Sequence, residues 1–149
     1  MAEDALALVR DENREIIAAL SRLGRDRADR PALLDDLAAR VVAHACAAES
    51  EFDHALAEQA GEPGIAHRRN GERRRIERLL SRLKAVETTG RHFDVLLHRL
   101  TAELRAHLAE EEDIVLPDLR STAGPAGLAD LAAAFERRRR AEYERLRPR

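Results

Sequence analysis

The thirteen residues His107–Leu119 read HLAEEEDIVLPDL. His107 and Glu111 are four apart, which on a helix sets an imidazole and a carboxylate on one face about one turn from each other. They continue an apolar stripe, Phe93, Leu97, Leu100 and Leu104, that recurs at spacings of three and four and resumes at Val115. Two ionisable groups therefore stand where an amphipathic helix should be apolar. Pro117 is expected to end or kink this helix, because it lacks an N–H and clashes with the preceding turn.

The same pattern extends outward along the chain. Breakers fall at Gly24 to Pro31, Gly61 to Gly64, Thr88 to Gly90, and Pro117 followed by Ser121 to Gly127. Between them run stretches of helical period. Leu6, Val9, Ile16, Ile17 and Leu20 mark the first, Leu34, Leu37, Val41 and Phe52 the second, and Ile76, Leu80 and Leu83 the third. Long helices with short connections predict an all-α, antiparallel up-down-up-down four-helix bundle over residues 1–120. Residues 121–149 read as an additional C-terminal helix on or beyond the bundle, with Leu128, Leu131 and Phe135 on one face.

Composition agrees with that reading and removes several alternatives. The chain has 149 residues, 44% apolar but only 3% aromatic, so the core must be built mainly from Leu, Ala, Val and Ile. One Cys excludes an intrachain disulfide and any multi-Cys metal site. Basic and acidic residues number 26 and 28, for a net charge of −2, which tells against a nucleic-acid or anionic-membrane partner. The acidic start MAEDALALVRDEN is unlike a secretory signal, and a cytoplasmic protein is expected.

Each predicted bundle helix carries a polar residue on its inward stripe near mid-length: Asn13, His44, Arg73 and His107. Burying an ionisable group without a partner costs several kcal/mol, so these residues must meet one another or an ion. Neutral imidazole with carboxylate suits iron, zinc or manganese.

Three segments carry a resemblance: HACAAESEFDHAL at His44–Leu56, ERRRIERLLSRL at Glu72–Leu83, and above all HLAEEEDIVLPDL. They resemble the successive helical motifs of the hemerythrin-like, HHE cation-binding family. The resemblance implies a four-helix bundle around two carboxylate-bridged irons engaged in oxygen, nitric oxide or iron chemistry. It also implies that this ligand set is incomplete. Asn13 stands at an expected His, Ala48 at an expected carboxylate and Arg73 at an expected His. His44, Glu77, His107 and Glu111 remain as candidate metal ligands.

Arg73 is permanently charged and cannot ligate a metal. A cation about 5 Å from a divalent ion is repelled by roughly 6 to 7 kcal/mol at an effective dielectric of about 20, which argues against two metals. One ion (iron, zinc or manganese) on the four remaining ligands, or none, is electrostatically acceptable. In the metal-free case Arg73 takes the ion's place, its fork satisfying Glu77 or Glu111. The short side chains at Asn13 and Ala48 predict space for water, an exogenous ligand or a substrate.

Three functions follow as expectations. The first is a metal-binding protein with an altered, at most mononuclear centre that binds or senses dioxygen, nitric oxide or iron. The second is a metal-free structural or interaction module, a homo-oligomer or one of a pair of subunits. The third is a small oxidative enzyme using one iron or an organic ligand. Whether it is an enzyme stays open. Glu49, Glu51 and Asp53 lie near His44, where a small helix rotation would let one replace the missing carboxylate, but they read first as a solvated face, as do His54, His67 and the run Arg137–Arg140.

Overall fold

The computed structural model describes residues 2–149 and is all-helical. Helix α1 (Ala2–Arg25) is followed by α2 (Arg30–Ala48), which runs through a π turn (Glu49–Asp53) into the short α3 (His54–Glu58). Helix α4 (Pro63–Ala85) returns, and α5 (Arg91–Glu110) runs through a second π turn (Glu111–Val115) into α6 (Leu116–Leu146). Pro31 and Pro63 lie in the first turns of α2 and α4, where a missing N–H leaves no helical hydrogen bond unmade. Gly61, at φ 69°, supplies the left-handed turn between α3 and α4.

Helices α1, α2, α4 and α5 pack as a ring, α1 on α2, α2 on α4, α4 on α5 and α5 on α1. The irregularity expected at Pro117 takes a different form. The helix passes through the proline, and the disturbance is the π turn just upstream, where the Leu116 N–H bonds the carbonyl of Glu111 five residues back. The break comes at Gly124, whose φ of 78° and ψ of 171° lie outside any helix, with Pro125 after it. Beyond it α6 folds back along α2 and α1. Phe135 meets His44 and Tyr143 bonds Asp36, an antiparallel register against α2.

The apolar stripes build two buried clusters. One holds Ile16, Leu23, Leu37, Leu83, Phe93 and Leu100 toward the α1–α2 and α4–α5 loops. The other holds Val9, Phe52, Leu56, Val115, Leu119 and Phe135 at the opposite end. Asn13, His44, Arg73 and His107, all buried, fall between them, as the interrupted stripes predict. No helix among the described residues is long and apolar enough to cross a membrane.

Arg30 fastens the far end of the bundle. It is 2% exposed and donates to the carbonyls of Leu23 (3.0 Å), Gly24 (3.3 Å) and Thr88 (2.6 Å), while its plane lies 4.8 Å over Phe93. It thus satisfies carbonyls that the end of α1 leaves without helical donors and ties them to the α4–α5 loop. Arg30→Ala strands these acceptors in a buried site, and chemical denaturation should show a loss of about 3 kcal/mol.

Candidate functional site: an arginine-filled polar layer

The polar layer is organised by two arginines of α4, one turn apart. Arg69 is fully buried and Arg73 is 4% exposed. Both project into the bundle because Arg69, Arg73, Ile76, Leu80 and Leu83 share one face of α4 at three- and four-residue spacing. Arg73 pairs with Asp53 through its Nη1. Arg69 Nη1 donates to Glu110 Oε1 at 2.7 Å and to the carbonyl of His107 at 3.3 Å. Its Nη2 lies 3.2 Å from His107 Nε2 and 3.6 Å from Glu111 Oε2, and its Nε is 3.6 Å from Asp53 Oδ1.

These contacts fix the histidine tautomers. A guanidinium only donates, so His107 Nε2 must offer its lone pair to Arg69. The ring proton then lies on Nδ1 and is donated to Glu72 Oε1 at 2.8 Å. Burial, helped by the charge of Arg69, pushes the His107 pKa down to about 4, consistent with a neutral ring using both nitrogens. His44 instead donates Nε2–H to both oxygens of Glu111, at 3.1 and 3.2 Å. Burial opposes ionisation of Glu111, but the attraction and hydrogen bond of His44, with Arg69 beside them, win and hold it down at about 2.

The charges close on themselves. Buried Arg69 and Arg73 are matched by buried Asp53 and Glu111. Arg68 spans Glu72 (2.6 Å) and Glu110 (2.8 Å) at the rim. Above the layer, Phe135 of α6 sets its ring edge-on to His44 at 5.2 Å and stacks on Phe52 at 4.8 Å. Beside it Glu12, 5% exposed, meets Arg139 of α6 at 3.1 Å. Burial outweighs that cation and raises the Glu12 carboxyl above its usual range.

The residues singled out from the sequence separate as follows. His44 and Glu111 are in contact, and His107 joins them through Arg69. Glu77 is exposed and lines the outer wall of a small cavity shared with His44, Arg73 and His107. Asn13 is buried but turns to Glu112, 3.3 Å away, while Ala48 lies in the apolar cluster with Phe52 and Phe135. Arg73 finds Asp53 rather than Glu77 or Glu111. The expected space has closed to about 10 Å³ for the centre of a water molecule, enough for about one water. Asp53, read as solvated, is buried, and so is Glu12.

The sequence reading passes over Arg69 and takes Asp53, with Glu49 and Glu51, as a solvated face. The signal for Arg69 was available: it stands one turn before Arg73 on the core-facing stripe, inside a run of arginines that reads as surface. Asp53 reaches the layer through a rotation of its helix. On an unbroken helix it would point about half a turn away from His44. The π turn Glu49–Asp53 inserts one residue and rotates it inward.

A helical bundle with inward histidines and carboxylates across facing helices has the architecture of a helical cation-binding domain. The family model described as hemerythrin HHE cation binding domain matches residues 4–119, and the chain belongs to that family. Comparison with curated proteins and with solved structures returns no match. Among the described residues, no three His, Cys, Asp or Glu side chains converge as a metal-ligand group. A hemerythrin-type centre does not fit the residues present, because Arg69 holds the lone pair of His107 and the approach to Glu111.

Removing one member of a buried ion pair leaves the other uncompensated, so Asp53→Asn should lower stability by about 3 to 5 kcal/mol in urea unfolding. Glu77→Gln, outside that network, should change it by no more than about 0.5 kcal/mol. His107 adds a pH signature. Its folded pKa of about 4 lies below the unfolded value near 6.5, so its contribution is complete above pH 6.5 and is lost as pH falls toward 4. That loss is of order 3 kcal/mol, and His107→Asn should flatten the slope of stability against pH across this window.

Proposed function

We propose that this chain is a metal-independent member of the hemerythrin family that serves as an interaction module. Arg69 and Arg73 supply, inside the bundle, the positive charge that cations supply in the family. The observation that carries this reading is the 3.2 Å contact between Arg69 Nη2 and His107 Nε2, which uses the lone pair a metal would need. A single iron, zinc or manganese ion on His44, Glu77, His107 and Glu111, with dioxygen or nitric oxide as ligand, would require Arg69 to leave and Glu77 to turn inward. An oxidative enzyme acting on an organic ligand would need more room than about one water molecule occupies.

Metal loading decides between these readings. Protein expressed with supplementary iron and then exposed anaerobically to Fe(II), Zn(II) or Mn(II) should hold only substoichiometric metal and melt at an unchanged temperature. An ion binding the native state at a hundred times its Kd would add about 3 kcal/mol of stability. Arg69→Ala combined with Arg73→His should acquire metal affinity that the wild type lacks. Stoichiometric metal in the wild type, with a raised melting temperature, would overturn the reading.

A further inference from the structure

Among the described residues only two large apolar side chains are exposed, Val95 at 51% and Ile114 at 44%. Both belong to one continuous rod, α5 and its π turn. On an uninterrupted α-helix, nineteen residues would turn Ile114 about 100° away from Val95. The extra residue of the π turn takes most of that rotation back, so the two share the outer face, about 28 Å apart along the axis. Helices α1 and α4 flank α5, and the folded-back part of α6 lies on α2 and α1, which leaves this face uncovered. Between Val95 and Ile114 the face carries the exposed short side chains Ala102, Ala106 and Ala109, so another helix can approach closely.

The two ends of the face have opposite charge. Arg91 and Arg99 stand one turn to either side of Val95, both exposed and without an ion-pair partner among the described residues. Ile114 has exposed Asp113 beside it and Asp118 one turn on. Asp118 is itself crowded by Glu62, whose carboxyl its hydrogen bond holds above the usual range. An aliphatic group framed by free cations at one end thus matches an aliphatic group framed by carboxylates at the other.

We propose that the outer face of α5 is a self-association surface, occupied by a second copy of this chain in antiparallel two-fold packing. The register that sets Val95 against Ile114 of the second copy also sets Arg91 level with Asp118 and brings Arg99 within a turn of Asp113. The two-fold axis makes each contact twice, so the interface closes as a dimer instead of propagating. Ion pairing around two apolar contacts makes a modest, salt-sensitive association. The proposal depends only on the outer face and is independent of whether the polar layer takes a metal.

Sedimentation equilibrium of the full chain at low and high salt tests the stoichiometry. A concentration-dependent dimer, weakened by salt and weakened about tenfold or more in Arg91→Glu/Arg99→Glu, is expected. Orientation is read by cross-linking in a Cys46→Ser background. Val95→Cys and Ile114→Cys proteins should each resist oxidation to a disulfide dimer alone, yet form a heterodimer when mixed. Circular dichroism confirms that each variant is folded. A wild type that stays monomeric at low salt, assembly beyond two copies, or a Val95→Cys protein that cross-links with itself as readily as with Ile114→Cys would each overturn the proposal.

Discussion

A guanidinium buried in a helical bundle cannot shed its charge, so every neighbour must be arranged to answer it. Arg69 imposes that condition here. Its three nitrogens face Glu110, the carbonyl and ring of His107, Glu111 and Asp53, and each of these is set by what the arginine needs. His107 takes the tautomer that accepts a hydrogen bond. Glu111 stays ionised at complete burial, with His44 as its hydrogen-bond donor and Arg69 3.6 Å away. Arg73, one turn on, requires Asp53, and Asp53 reaches it only because α2 opens into a π turn. Polar residues face inward at mid-bundle, and two of them are guanidiniums.

The bundle itself was legible because its determinants are periodic. Leu, Val and Ile at three- and four-residue spacing, broken by Gly and Pro, specify four helices and their inward faces, and Asn13, His44, Arg73 and His107 are all buried where those stripes place them. The site was legible only as far as helical phase is regular. His44 and Glu111 meet as their stripes imply, yet Arg73 pairs with an acid that ideal 3.6-residue spacing turns to solvent. A π turn leaves no composition signal, and it changes the direction of every side chain after it. Arg69 was hidden differently: in the run Arg68–Arg69–Asn70–Gly71–Glu72–Arg73 a buried arginine looks like its exposed neighbours until its partners are known.

The C-terminal helix completes the interior instead of appending to it. Phe135 stacks on Phe52 and covers His44, and Arg139 answers Glu12, a carboxylate that α1 buries without sufficient charge of its own. The small side chains at Asn13 and Ala48 are therefore matched by bulk from elsewhere: two guanidiniums from α4 and an aromatic ring from beyond Gly124. Space left by substitution on one element is filled by another, as close packing of interiors requires.

A metal ion is a visitor whose residence depends on its concentration, its oxidation state and the chelators around it. The cation at the heart of this bundle is joined to α4 by covalent bonds, so its local concentration never falls and no scavenger can withdraw it. The fold therefore carries its own counter-charge from synthesis onward. Its integrity is tied to acidity, through Glu111 and His107.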